Sequence, residues 1–249
     1  MSTLNLRSKF NIYSYKIVLF FILFSAIGGS SAKAQNRSDI NLPNYDDRWL
    51  HYGFQLGIHS SMYKLKYSDA FNSPDLANLQ AIYTKPSVGF SVGFIANFRI
   101  SEFWNFRVQP KIGFYDFRLE YIYNDPDQPV LEELVESTFI EIPLLFKVKS
   151  SRMKNTRVYL VGGVTPMFEA NGKKKRENDD RLHTDSFNLA VEFGLGLDKY
   201  NEFYKFSPEI RYSLGVTNLL GNVNNEFSEG IKYINTHTIT LYFLFEGGK

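Results

Sequence analysis

The sequence predicts an all-β fold, an eight-stranded antiparallel up-and-down transmembrane β-barrel over residues 49–246. Three observations carry that reading. Apolar and polar residues alternate with a period of two in eight segments. The connections between the segments alternate short and long. Aromatic residues gather at the strand ends nearest the short connections. Side chains on a strand point to opposite faces in turn, so each segment has one apolar and one polar face. In a membrane barrel the apolar face meets lipid and the polar face lines the lumen.

Composition bounds the alternatives. The chain has 249 residues, 44% hydrophobic, with 16 Tyr and 23 Phe, enough for one sizeable domain. A net charge of +2 lacks the strong basic excess of a nucleic-acid binder, and no nucleic-acid partner is expected. There is no cysteine, which removes disulfides, thiolate metal sites and the lipid-bearing cysteine of a lipoprotein.

The first element is a secretory signal over residues 1–34. Arg7, Lys9 and Lys16 precede the apolar run Ile17 to Ile27, and the small residues up to Ala34 end in an Ala-x-Ala site, which predicts cleavage between Ala34 and Gln35. Eleven apolar residues at about 1.5 Å each fall short of the roughly 30 Å of hydrocarbon that a spanning helix must cross. No later stretch is apolar for about 18 residues, so any membrane span downstream must use strands. Residues 35–48, QNRSDINLPNYDDR, read as a short periplasmic leader.

The strands follow. Residues 49–59 set Leu50, Tyr52, Phe54, Leu56 and Ile58 against His51, Gly53, Gln55, Gly57 and His59. Residues 87–100 place Val88, Phe90, Val92, Phe94, Ala96, Phe98 and Ile100 outward. Residues 104–115 place Trp104, Phe106, Val108, Ile112 and Phe114 outward, opposite Asn105, Arg107, Gln109 and Lys111. Beyond them Phe117, Leu119 and Tyr121 carry the apolar set, a phase slip that predicts a bulge. Residues 139–149, 157–168, 185–198, 204–216 and 237–246 complete the eight. Pro110, Pro143, Pro166 and Pro208 fall inside strands, where proline cannot donate to a ladder, and bulges are expected there too.

Connections 101–103, 150–156 and 199–203 are short, whereas 66–85, 124–136, 170–184 and 218–232 are long and polar. A membrane barrel of even strand number has short periplasmic turns, long outer loops and both termini on the periplasmic side. That predicts the outer membrane of a Gram-negative cell, with outer-membrane lipid as the first partner. Trp49, Tyr52, Phe98, Phe103, Trp104, Phe106, Tyr200, Phe203, Tyr204, Phe206, Phe243 and Phe245 read as an interfacial girdle at the turn end.

The stretches VESTFIEIPLLFKVKSSR (135–152), VYLVGGV (158–164), LAVEFGLGLD (189–198) and FSPEIRYSLGVTNLL (206–220) resemble the PorT family of Bacteroidota outer-membrane barrels. Most specific is their combination with NLPNYDDRWLHYGFQLG (41–57) and SSRMKNTRVYLVGGV (150–164), and the resemblance spans roughly 41 to 246. It implies a component of the type IX secretion system, which exports proteins bearing a C-terminal sorting domain and supports gliding in some members. It also implies other secretion-system proteins as partners, and it carries over no catalytic residue. A generic outer-membrane barrel with a structural or adhesive role is the alternative.

No catalytic, cofactor or metal site is expected. GLGLD and VGGV lack the strand–loop–helix context of a phosphate site and read as glycines that make room in a narrow lumen. The histidines raise a rim enzyme as a third class. By parity, however, His59 points inward and His237 outward, His183 lies in a loop, and His51 sits near the opposite rim. No small-molecule substrate is evident. The inward face carries Arg99, Arg107, Lys111, Glu141, Lys147, Arg157, Glu192, Asp198, Lys205, Glu209 and Arg211. Because buried charges must be paired, these predict a structural salt-bridge network filling the lumen rather than an ion path, with Arg107, Lys111, Glu141, Lys147, Arg157, Glu192, Glu209 and Arg211 as its members. The basic run at 172–181 reads as a solvated outer loop that could touch anionic headgroups.

Overall fold

A computed structural model of the chain describes residues 40–68, 71, 78–124, 130–170, 185–221 and 230–247. The chain divides into Met1–Asp39 and Ile40–Lys249, and all described residues belong to the second unit. The Ala34–Gln35 cleavage site, the 172–181 loop and His183 lie outside the described residues.

The strands are β1 (Leu50–Tyr67), β2 (Leu79–Lys85), β3 (Ser87–Arg99), β4 (Trp104–Val108), β5 (Lys111–Tyr123), β6 (Leu131–Glu141), β7 (Leu144–Lys149), β8 (Thr156–Glu169), β9 (Phe187–Tyr200), β10 (Tyr204–Gly215) and β11 (Ile231–Gly247). They make eight staves, because proline cuts three staves in two. Pro86 separates β2 from β3, Pro110 separates β4 from β5, and Pro143 separates β6 from β7. Antiparallel pairing runs from β1 through β3, β4/β5, β6/β7, β8, β9 and β10 to β11. The ring closes where β11 pairs with β1 from Gly53↔Glu246 to Tyr67↔Ile231. Closure leaves no free edge along the membrane-facing band, which hydrocarbon requires.

Three of the prolines keep their place in the sheet as acceptors. Phe94 N–H donates to the Pro110 carbonyl (2.9 Å), Gln109 N–H to Pro143 (3.0 Å) and Ile142 N–H to Pro166 (3.1 Å). Each bond lacks its reciprocal, since proline has no N–H. Pro166 and Pro208 nevertheless lie within the unbroken β8 and β10.

Along β5 the faces alternate from Lys111 to Tyr121 without interruption, and this corrects the predicted bulge near residue 117. β5 holds one parity from Lys111 to Tyr121, with Tyr115, Phe117, Leu119 and Tyr121 buried inside. What changes is the medium. The outward row passes from Ile112 and Phe114 to Asp116, Arg118 and Glu120, so the strand leaves lipid for water while its inner face turns apolar. β1 does the same, passing outward from Leu56 and Ile58 to Lys64 and Lys66 while Tyr63 is buried within. Strands therefore continue into segments expected to be loops. β2 lies inside 66–85 and β6 begins at Leu131 inside 124–136, and both had been masked by the inverted polarity.

Inside the loop end, Tyr63, Ile82, Phe117, Leu119, Tyr121, Phe139 and Ile234 belong to one apolar cluster, with Tyr63 stacked on Phe117 at 4.0 Å. Burial there packs the interior above the lipid band. At the turn end Trp49, Tyr52, Phe103, Trp104, Phe203 and Tyr204 are exposed, as an interfacial girdle requires. Tyr200 is not part of it. It shares the inward parity of Asp198 and is buried. The interior glycine Gly196 makes room for a ring: a Cβ there would stand 2.3 Å from the Tyr159 ring.

Candidate functional site

The lumen and its turn-end mouth hold the polar chemistry. Arg107, Lys111, Glu141, Lys147, Arg157, Glu192, Glu209 and Arg211 all point inward and are buried, as are Asp198 and Lys205. Arg99 is only half-buried and faces Asp47 at 3.5 Å, near the rim. Among the described residues the interior also buries Lys149 and Glu246, which gives seven cations against five anions.

They pair in tiers. Nearest the loop end, Lys111 meets Glu141 at 2.8 Å, and the Tyr115 hydroxyl donates to the same carboxylate at 2.6 Å. In the middle, Arg211 donates to Glu192 (2.8 Å), to Gln109 (2.8 Å) and to Glu209. The other Glu209 oxygen accepts from Arg107 (2.9 Å) and from the Tyr159 hydroxyl (2.7 Å). Towards the turns, Lys147 pairs with Asp198 at 2.6 Å, and Lys205 pairs with Glu246 at 3.0 Å. Carboxylates so held face the cations beside them and fill the narrow interior of an eight-stranded barrel. This is a packed core of charge.

The mouth at the turn end is closed by the chain's own leader. Tyr45–Asp47 form a 3₁₀ turn, and the Tyr45 ring enters the lumen at 3% exposure. It stacks on His51 at 4.0 Å and meets Tyr200 edge-on at 5.7 Å, and its hydroxyl donates to Glu246 at 3.1 Å. Burial, with the Glu246 carboxylate beside it, pushes the Tyr45 phenol well above its ordinary pKa, so it remains a donor. His51 Nε2 donates to the Tyr45 carbonyl at 2.7 Å. Asp46 accepts from the Tyr200 hydroxyl at 3.0 Å and lies 3.3 Å from Arg157 and 3.6 Å from Lys149.

The β7–β8 turn clamps the leader from the other side. The Arg152 guanidinium donates to the Asn41 carbonyl, to Leu42 O (3.2 Å) and to Lys154 O (2.7 Å), and it lies over the Tyr200 ring at 3.8 Å. Asn41 N–H donates to Asn155 Oδ1 at 2.9 Å, and its side chain donates to Tyr200 O at 3.1 Å. Leu42 and Lys154, one on each side of the clamp, hold positive φ (50° and 55°), conformations that persist only where surrounding contacts fix them. The two stretches most specific to the family resemblance, 41–57 and 150–164, thus meet in one structure. Asp46→Asn removes the anion facing Arg157 and Lys149. Discounted for its partial exposure, the loss is about 1 kcal/mol. The expected result is roughly fivefold more of the leader-released state, read as faster proteolytic nicking between Ile40 and Arg48 in the otherwise intact barrel.

The described histidines do not converge. His59 stacks on Tyr115 at 4.1 Å inside the wall, and His51 holds the plug. His237 faces outward and bonds the Tyr212 hydroxyl. Among the described residues no three His, Asp or Glu side chains come together as a metal site. Sequence reasoning missed Glu246, Tyr45 and Asp46. Parity with Tyr242 and Leu244 would have found Glu246, but nothing in the period of the strands reaches the leader.

Comparison with known proteins gives a family and a set of folds. The pattern of the family described as "Outer membrane protein beta-barrel domain" matches residues 33–221. Among solved structures, the outer membrane protein OprG from Pseudomonas aeruginosa is similar at 12% identity, covering 80% of this chain and 91% of that one, with a TM-score of 0.41. Neisserial surface protein A is similar at 13% identity, covering 77% and 95%, with a TM-score of 0.36. The attachment invasion locus protein Ail of Yersinia pestis is similar at 12% identity, covering 80% and 99%, with a TM-score of 0.33. No curated protein sequence matches the chain.

Proposed function

The chain belongs to the outer membrane protein β-barrel domain family, and from that premise we propose that it is a non-enzymatic accessory of type IX protein secretion, needed for export of proteins that carry a C-terminal sorting domain. In this reading the short turns and both termini face the periplasm, and the long connections face outward. The filled lumen conducts nothing, so the protein acts through its two rims, on other secretion-system proteins and in outer-membrane lipid. The observation that carries the proposal is the clamp. The stretches 41–57 and 150–164, whose combination most specifically resembles the PorT family, meet in a single surface at the turn end, which is what a docking function asks of them. A barrel with only a structural or adhesive role has no evident use for a leader tied to one particular turn.

The test is deletion of the gene. Sorting-domain proteins are expected to accumulate in the periplasm, and a copy with alanine at His59, His183 and His237, which keeps His51 and its bond to the leader, is expected to restore export if the barrel assembles. Unchanged export in the deletion strain would leave the generic barrel role in its place. Loss of export in an assembled barrel lacking one of those three histidines would favour the rim enzyme.

A further inference from the structure

Above the lipid band the wall is split. β1 pairs with β3 only from Leu50 to Ser61, and from Met62 to Tyr67 its other edge meets only β11. β2 pairs with β5 from Leu79 to Lys85 and stands at the end of the sheet order, with no described strand on its second edge. Two strand edges of six and seven residues therefore face each other across a seam. One side chain bridges it. The Tyr67 hydroxyl donates to the Ile82 carbonyl (2.9 Å) and accepts from the Ile82 N–H (3.3 Å). Those are the two bonds that a neighbouring strand would make with Ile82. β1 and β2 form no ladder over this stretch among the described residues, so their backbones are not paired at the strand spacing of about 4.8 Å. The phenol holds the place of a missing strand.

The walls of the seam differ in chemistry. Inward lie Leu65 and Ile82, which pack on the apolar cluster. Outward on β1 stand Lys64 and Lys66, both exposed and without an ion-pair partner among the described residues. On β2, by contrast, Lys85 is already paired with Glu120. Register shifts at Lys66/Tyr67 and Leu79/Ala81, with Pro86 below, confine the open edges to this short stretch. An exposed edge is a template for another chain, and β-augmentation takes affinity from backbone bonds and specificity from alternate side chains.

We propose that the seam is a β-augmentation site for an extended segment of a partner protein in which apolar and acidic residues alternate. The segment displaces the Tyr67 hydroxyl and takes up the Ile82 and Thr84 backbone groups. Its apolar side chains land on Leu65 and Ile82, and its carboxylates reach Lys64 and Lys66. This goes beyond the secretion reading and does not depend on it.

The test uses the full-length mature protein in phospholipid nanodiscs and a fluorescent octapeptide of four Val-Glu repeats. Binding is expected to be at least about tenfold tighter than for the Val-Lys peptide, and Lys64→Glu with Lys66→Glu is expected to reverse that preference. Thr84 shares the strand side of Ile82, so Thr84→Pro removes a seam donor without touching the β5 ladder, and it is expected to abolish binding. The Thr84 amide is expected to exchange freely in the unbound protein and slowly with peptide. A Thr84 amide already protected without peptide would mean that the chain fills its own seam, and the proposal falls. It falls equally if the two peptides bind alike, if neither binds, or if the charge-reversed variant, assembled by heat-modifiable gel mobility, keeps the original preference.

Discussion

Glu209→Ala is expected to destabilise the assembled barrel by about 3–5 kcal/mol, the range for removing one partner of a buried ion pair. One oxygen of Glu209 takes the Arg107 guanidinium and the Tyr159 hydroxyl, and the other takes Arg211. Alanine leaves Arg107 buried with its nearest remaining carboxylate 4.0 Å away at Glu246, while Arg211 loses one of two carboxylates and keeps Glu192 and Gln109. The loss is read as a lower urea midpoint in lipid vesicles, with unchanged steepness of the transition. Arg107→Met with Glu209→Met together is expected to cost less than the two single changes added, because neither then strands the other. A strictly additive pair would mean that the two charges do not see each other across the lumen.

Leu195→Arg is expected to cost about 2–4 kcal/mol, the price of an arginine on the lipid face of a barrel near the bilayer midplane. Leu195 is 58% exposed and lies between Leu160 on β8 and Ile210 on β10, well inside the outward apolar row of β9. Glu192→Gln, on the same strand, faces the lumen. It keeps the shape and hydrogen-bonding reach of the side chain, and Arg211 retains Glu209 and Gln109. Near-normal assembly is expected for Glu192→Gln and poor assembly for Leu195→Arg, read as the heat-modifiable fraction after refolding into lipid. The opposite order would place the apolar row inside.

The strands and their faces were legible because one rule, alternation with period two, operates wherever one side of a strand is apolar and the other is not. It read β9 and the lipid-facing part of β1 residue by residue. It broke down where the surroundings change along a strand. At Asp116 the outward face meets water and the inward face meets Phe117 and Leu119, so a continuous strand imitates a slipped one. Tyr200 failed for a related reason: an aromatic near a turn reads as girdle, and only its inward parity reveals a lumen residue bonded to Asp46. The interior charges were visible one by one, but not their pairing. Arg211 and Glu192 lie on different strands and become neighbours only through register. The leader was beyond reach because Tyr45 is placed by a fold closed some 200 residues later, at Glu246.

The prolines of β4/β5, β6/β7 and β8 draw a perforation across the barrel wall. At each, one hydrogen bond crosses where two would normally form: Phe94 to Pro110, Gln109 to Pro143, Ile142 to Pro166. The registers run across these prolines without a shift, so the bulges expected at them do not form. Each crossing is held by one bond instead of two, so the wall resists bending least along that line.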